Sequence, residues 1–266
     1  MKFLLNSFLI VLIAILITSC KRTDDLVDFT IDEELLLGEK LAEVVSSSVD
    51  FSVISPESNS GVYDYVNSRL NEITSSTSLL KSDFNWTVTL LKSEDRSAFA
   101  TPGGFIYINT GLIFFLENED QFSGLIAHLI AHVDSTHVTE RLFFQFGINN
   151  LKSIANGNDE AALSSVLNSL NPSTESFMYS RSNELEADEY SVSLLSGSGQ
   201  SCSAAGLFFE RMENVQPERQ TFFLSIHSGT DTRVEDINEI AGSMGCDTSV
   251  DSESATRFQS FRNSIP

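Results

Sequence analysis

Two histidines, His128 and His132, are spaced so that both would lie on one face of a helix. Imidazole nitrogens at this spacing can bind a single metal ion such as Zn²⁺. In hydrolytic sites of this kind, the residue after the first histidine is a glutamate, which serves as the general base for metal-bound water. Here that residue is Leu129, which has no group able to accept a proton. The pattern therefore indicates a metal site and argues against the usual hydrolytic chemistry there.

The histidine pair alone is also compatible with two packed core histidines on an apolar helix. Most of its neighbours are apolar, namely Leu125, Ile126, Ile130 and Val133. Two other segments favour the metal-binding interpretation. Residues 98–104 read Ala-Phe-Ala-Thr-Pro-Gly-Gly, and residues 184–188 read Glu-Leu-Glu-Ala-Asp. The three segments together make a more specific pattern than the histidines do.

These segments resemble the motifs of the HtpX-like and CAAX-prenyl endopeptidase family of zinc metallopeptidases, in a short lipoprotein form. Matching blocks occur in the family's order at residues 98–104, at Asn-Glu-Asp 118–120, along the histidine helix to His137, and at residues 184–188. A looser match is His227 followed by Arg233, with Ser228 where a proline is usual. The resemblance covers residues 33–240. It implies an α+β fold, a mostly helical zincin-like metallopeptidase domain with a small β-sheet.

The resemblance also implies one Zn²⁺ ion, bound by His128, His132 and Glu184. Asp188 follows Glu184 by one helical turn and matches the carboxylate that orients a ligand histidine. Each acidic residue has a simpler interpretation. Glu184 could be a solvated carboxylate on an acidic helix, and Asp188 could pair with Arg181.

Three further positions bear on catalysis. His227 and Arg233 match residues near the cleft that would contact substrate or a developing oxyanion. Asp134 is the nearest acidic residue to the histidine pair in sequence, but on a helix it should point away from the ligand face. His137 follows the second ligand by five residues, so we expect it to be rotated off the metal-facing side as a surface or structural histidine.

Two functions remain open. In the first, the chain is a proteolytically inactive relative that binds or scaffolds unfolded or misassembled envelope proteins, or an active partner peptidase. In the second, it is an active zinc metalloendopeptidase of envelope protein quality control with a non-standard base, since Leu129 occupies the usual position. A third outcome is that the ligands are vestigial and bind no metal.

The N-terminus predicts a lipoprotein of the bacterial envelope. Lys2 precedes an apolar run over residues 3–18, and residues 17–20, Ile-Thr-Ser-Cys, resemble a lipobox. Cys20 would carry the lipid, and Lys21 rather than Asp after it favours the outer membrane. The alternative is an anchor helix with an incidental cysteine. The predicted division is a signal peptide over 1–19, a lipidated linker over 20–31 and a metallopeptidase-like domain over 32–266.

Composition and cysteine content limit which classes of partner and which cellular compartment are expected. The formal net charge is −21 and the chain has no basic patch, so nucleic-acid binding is not expected. The membrane contact would then depend on the lipid. Cys202 and Cys246 remain after Cys20 is lipidated, and in an oxidising compartment they could pair, or they could be two buried thiols.

Hydrophobic periodicity predicts the elements that position these residues. Helices are predicted over 32–45, 62–73, 120–146, 160–170, 177–195, 203–212 and 231–244, and strands over 86–91 and 104–109. Phe99, Phe105 and Tyr107 alternate as in a packed strand, which could still pair with an extended peptide. Residues 102–104 predict a turn, and the polar C-terminal residues should be frayed.

Overall fold

A computed structural model describes residues 29–76, 79–81, 83–170, 178–213, 223, 227 and 232–266. The predicted signal peptide, Cys20 and Ser228 lie outside these residues. The described helices are α1 Ile31–Ser47, α2 Ser60–Ser76, α3 Thr110–Phe115, α4 Glu119–Asp134, α5 His137–Phe146, α6 Ile148–Ala155, α7 Glu160–Leu170, α8 Arg181–Ser198, α9 Ala204–Glu213, α10 Arg233–Met244 and α11 Ser254–Ser264. The strands are β1 Thr87–Leu91, β2 Ala98–Thr101 and β3 Phe105–Asn109. The predicted fold, mostly helical α+β with a small sheet, is confirmed.

The sheet has the order β1-β3-β2, with β3 in the centre. β1 pairs with β3 in parallel, and β2 pairs with β3 antiparallel. A 3₁₀ turn at Pro102–Gly104 connects β2 to β3, as the sequence predicts. Gly103 and Gly104 have φ angles of 82° and 93°, a region that side chains with a Cβ rarely adopt. The two glycines therefore let the chain reverse directly between neighbouring strands.

The two faces of the sheet bury different helices. Ile106 and Ile108 of β3 face the main core, which also contains Ile126 and Ile130 of α4. Tyr107 faces the second core, with residues of α1, α6 and α7. Strand alternation produces this division, because successive side chains point to opposite faces. The sheet thus supports the histidine helix α4 on one side and α1 on the other.

The histidine segment forms two helices, α4 and α5. The prediction of one continuous helix over 120–146 is wrong, because the helix is interrupted between Asp134 and His137. α4 begins at an Asn118 cap, whose side chain accepts a hydrogen bond from the Gln121 backbone N–H. It ends at Asp134, and α5 starts at His137. Between them Thr136 has a φ of 68°, in the left-handed region that stops a helix.

The C-terminal residues form a packed helix, so the expectation of a frayed end is wrong. Phe258 and Phe261 of α11 are buried. Phe261 stacks on Tyr65 of α2 with ring centroids 4.2 Å apart, and both phenylalanines contact Phe122 of α4. These two aromatic residues are three positions apart and lie on one face of the helix, where they form an apolar stripe. The stripe was not predicted because most of the surrounding sequence is polar. Helices α3 and α6 also form where no helix was expected.

A disulfide joins Cys202 and Cys246, which decides between the two alternatives for these cysteines. It links the start of α9 to the end of α10, across 44 residues of sequence. The Cys202 backbone N–H also donates to the Asp247 carbonyl at 2.8 Å. Among the described helices, none has the length and apolar character needed to span a bilayer.

Candidate metal centre

Four side chains converge inside the core. His128 and His132 lie on α4, Glu184 lies in the first turn of α8, and His227 enters from beyond α9. One ligand atom from each lies within 4.8 Å of the other three. Relative exposures are 0% for His128 and His132, 2% for Glu184 and 1% for His227. Such a set of buried nitrogen and carboxylate donors suits a metal cation.

The spacing of the donor atoms fits a tetrahedral Zn²⁺ ion. The Nε2 atoms of His128 and His132 are 3.1 Å apart, and His128 Nε2 is 3.2 Å from His227 Nδ1. Glu184 Oε1 lies 3.4 Å from His132 Nε2 and 3.0 Å from His227 Nδ1. With zinc–nitrogen and zinc–oxygen bonds near 2.0–2.1 Å, the edges of a tetrahedron are roughly 3.3 Å. These four residues form a candidate zinc site.

The chemistry of the donors supports the same conclusion. A neutral imidazole has one protonated ring nitrogen, so nitrogens that face one another cannot all be satisfied by hydrogen bonds. Here three ring nitrogens and a carboxylate oxygen point at one another. A metal cation bound between these four atoms would be coordinated by a lone pair from each of them.

Burial and neighbouring charges set the protonation states. Burial lowers the pKa of His132 well below its usual value and lowers that of His227 to about 4. Burial would raise the pKa of Glu184, but its contacts and hydrogen bonds with the facing histidines hold it well below its usual value. Burial would lower the pKa of His128, but hydrogen bonds with Asp188 and Glu184 raise it above its usual value. At Glu184, His132 and His227 the pKa directions favour the ionised carboxylate and the neutral imidazoles that bind a metal.

Local features of α4 and α8 support the helices that carry three of the donors. Gly124 of α4 lies against the α9 backbone, where a Cβ would come within 2.3 Å of the Ala204 carbonyl oxygen. The N-cap of α8 is Ser180, whose side chain accepts from the Asn183 backbone N–H, and this cap fixes the turn that carries Glu184. The predicted start of this helix at 177 was too early, because residues 178–180 are not helical and Ser180 is the cap.

Asp188 pairs with Arg233 rather than with Arg181. Asp188 Oδ1 lies 3.1 Å from His128 Nδ1, where it can orient that ring. Arg233 is 1% exposed, contacts both oxygens of Asp188, and reaches Glu184 Oε2 at 2.7 Å. Its guanidinium thus holds the carboxylates of the site, and contact of Arg233 with substrate stays a prediction.

Comparison with known families decides the identity of the fold. Residues 63–241 match the model of peptidase family M48. The chain belongs to peptidase family M48. This range includes β1 to β3, all four donors and Asp188.

Individual M48 relatives are distant. The chain is 25% identical over 224 residues to a putative beta-barrel assembly-enhancing protease of Vibrio cholerae, covering 80% of this chain and 45% of that protein. It is 26% identical over 164 residues to the mitochondrial metalloendopeptidase OMA1 of Schizosaccharomyces pombe, covering 59% and 47%. Metalloprotease LoiP of Escherichia coli is 26% identical over 150 residues, covering 55% and 59%. The chain thus spans about half the length of the curated relatives it matches.

In this M48 protein the position of the general base is apolar and enclosed. Leu129 is 1% exposed and belongs to the main core. Asp134 points away from the metal site, as predicted from the helix. Its carboxylate accepts hydrogen bonds from the backbone N–H groups of Leu80 and Lys81 and from the Tyr190 hydroxyl.

Sequence patterns missed two features of the site and left a third open. His227 was assigned to substrate contact, whereas its Nδ1 joins the donor set. Tyr179 covers the centre by stacking on the His132 ring at 4.0 Å, and no spacing rule marked it. His137 was expected to be a surface or a structural histidine; it is 4% exposed and lies beside His132, so the structural alternative holds.

Proposed function

We propose that this M48 protein binds zinc but does not cleave peptide bonds. The observation that carries the proposal is Leu129, an apolar core side chain at the position of the general base. Zinc, when bound, lowers the pKa of coordinated water to around 7. Directed proton transfer to a leaving amine still needs a positioned acid or base, and such a group typically contributes 10²–10⁴-fold in rate.

The other acidic groups near the centre are already engaged. Glu184 faces the histidines, and Asp188 is held by Arg233. His227 places a fourth donor atom beside the three expected ligands. Closed four-donor sets are typical of structural zinc sites, whereas catalytic sites keep one position for water. Both arguments favour a binding role over hydrolysis.

We place this role in the bacterial envelope, with the protein tethered to the outer membrane by a lipid on Cys20. The lipobox-like residues 17–20 support the tether. The relative from Vibrio cholerae is a putative beta-barrel assembly-enhancing protease. The expected partners are unfolded or misassembled envelope proteins, or an active peptidase that acts on them. Because the chain spans only part of each relative, the substrates of this protein are part of the proposal and are tested directly.

The test measures zinc content, cleavage and binding with the same purified protein. Natural protein should contain close to one zinc per chain and should leave casein and an unfolded outer-membrane protein intact. It should nevertheless slow aggregation of that outer-membrane protein, measured by light scattering. His132→Ala is the control for metal-dependent effects. Robust cleavage by the natural protein, absent in His132→Ala, would establish an active endopeptidase with another base and overturn the proposal.

A further inference from the structure

The fourth histidine of the chain lies next to the metal centre without belonging to the donor set. The sequence has four histidines, and three of them are donors. The remaining one, His137, has its Nδ1 3.2 Å from His132 Nδ1. The two rings meet edge to face with centroids 5.2 Å apart. His137 is also buried, so water does not compete for this contact.

A break between two helices creates this contact. In a continuous helix, five residues correspond to a rotation of about 140° beyond a full turn, which would carry His137 away from His132. Thr136 instead adopts a φ of 68°, and among the described residues it is the non-glycine position with positive φ. A threonine in this conformation is strained, and such strain persists where surrounding contacts over-determine it. The break turns the first residue of α5 back toward the centre.

The far side of the His137 ring reaches a carboxylate on α8. His137 Nε2 lies 3.6 Å from Glu186 Oε2, and the Glu186 side chain is 54% exposed. A second contact between the same helices fixes their alignment, because Asn183 Nδ2 donates to Glu140 Oε2 at 3.2 Å. From His137 to Glu140 the chain advances three residues along α5, whereas from Glu186 to Asn183 it goes back three residues along α8. The two contacts therefore lie one helical turn apart. His137 therefore bridges His132 and the protein surface.

We infer that His137 positions His132 for metal binding, with Glu186 fixing its tautomer. If His132 binds the metal through Nε2, its Nδ1 carries the proton and donates to His137 Nδ1. His137 then carries its own proton on Nε2, which faces the Glu186 carboxylate. Asp188 gives His128 the equivalent support at Nδ1. Each helix α4 ligand thus has a separate outer partner, one a carboxylate and the other a histidine.

The consequence is a specific effect of His137 on metal affinity. Removing the outer partner of a ligand histidine typically weakens metal binding about 10–100-fold. A residue that only packs would change stability without a selective effect on the metal. The inference rests on the zinc site of the proposed function. The experiment distinguishes a failure of the His137 role from a failure of the zinc site itself.

The experiment compares His137→Leu with His137→Asn in the full chain, using zinc competition with a chelator. The asparagine oxygen can accept the His132 proton near the position of Nδ1, and leucine cannot. We expect about 10–100-fold weaker zinc binding for His137→Leu and affinity close to wild type for His137→Asn. Circular dichroism and urea unfolding of the metal-free proteins show whether both variants fold.

A second measurement detects the hydrogen bond itself. In ¹⁵N-edited spectra of the zinc-loaded protein, exchange-protected Nδ1 protons are expected on His128 and on His132. His137→Leu should change the His132 signal and leave the His128 signal, which serves as an internal reference. A folded His137→Leu that binds zinc as tightly as wild type would overturn the role of His137 alone. A wild-type protein that binds no zinc would overturn both this role and the metal site.

Discussion

Arg233 holds Asp188 through two nitrogen–oxygen contacts, Nε to Oδ2 at 2.5 Å and Nη2 to Oδ1 at 2.7 Å. The planar guanidinium matches a carboxylate at two points, which a lysine could not do. The same group reaches Glu184, and Asp188 lies beside His128. One arginine from α10 therefore connects the carboxylates of α8 with a histidine of α4. This buried ion pair therefore adjoins the donor set of the candidate metal centre.

The first prediction concerns this ion pair. Arg233→Met removes the cation and leaves two buried carboxylates uncompensated, which typically costs about 3–5 kcal/mol. Urea unfolding should show this loss. Lys40→Met is the matched control, because Lys40 pairs with Glu43 on an exposed surface and should cost about 0–1 kcal/mol. Equal effects of the two variants would contradict the role of Arg233.

The second prediction concerns zinc. Free zinc at 100 times its dissociation constant should stabilise a single-site protein by about 2.7 kcal/mol. Thermal unfolding of the natural protein should therefore shift upward with added zinc and downward with a chelator. His132→Ala removes one donor and should abolish both shifts. A zinc-dependent shift of the same size in His132→Ala would place the metal elsewhere.

The third prediction concerns Leu129. Leu129→Glu restores a proton acceptor beside the metal site, and His227→Ala leaves the fourth donor position to water. In the His227→Ala background, Leu129→Glu should produce measurable zinc-dependent cleavage of an unfolded outer-membrane protein. The variant should also unfold at a lower temperature, because Leu129 lies in the core and a buried carboxylate is costly.

Leu129→Gln in the same His227→Ala background is the control for this variant. It has nearly the same shape and polarity but cannot serve as the base. Cleavage in Leu129→Glu alone supports the proposed loss of catalysis. Equal cleavage in both variants would show that a carboxylate at position 129 is not what limits the reaction.

The fourth prediction concerns the disulfide. Cys202 and Cys246 are 44 residues apart, and closing a loop of that size stabilises a fold by about 4 kcal/mol in the chain-entropy model. Replacing both cysteines with serine should lower the thermal midpoint in oxidising buffer. A reducing agent should lower the midpoint of the natural protein and leave the double variant unchanged. A natural protein insensitive to reduction would show that the bond contributes little.

The fifth prediction concerns the lipid anchor. Cys20→Ala should release the protein from membrane fractions or leave an unprocessed precursor, because the lipid can no longer be attached. Fractionation followed by N-terminal analysis distinguishes these products. Normal cleavage together with unchanged membrane association would rule out the lipid tether.

The sequence determined the local elements and most of the chemistry by itself. Apolar periodicity predicted α1, α2, α7 and the two strands β1 and β3 close to their observed bounds. The spacing of His128 and His132 on a helix and the motif around Glu184 predicted three of the four candidate donors. The apolar residue at the usual position of the base was visible as Leu129. These features depend on residues near in sequence, for which helical and strand geometry fixes the relative positions.

Only the tertiary structure decided the features that join distant segments. His227 reaches His128 across 99 residues, and Arg233 pairs with Asp188 across 45. The turn at Thr136, which brings His137 to His132, runs against the local preference of threonine. Such contacts depend on how helices pack around the core, as at Gly124, and no local periodicity encodes that packing. The ligand motif could therefore be read along the chain, whereas its fourth donor and its supporting residues required the folded core.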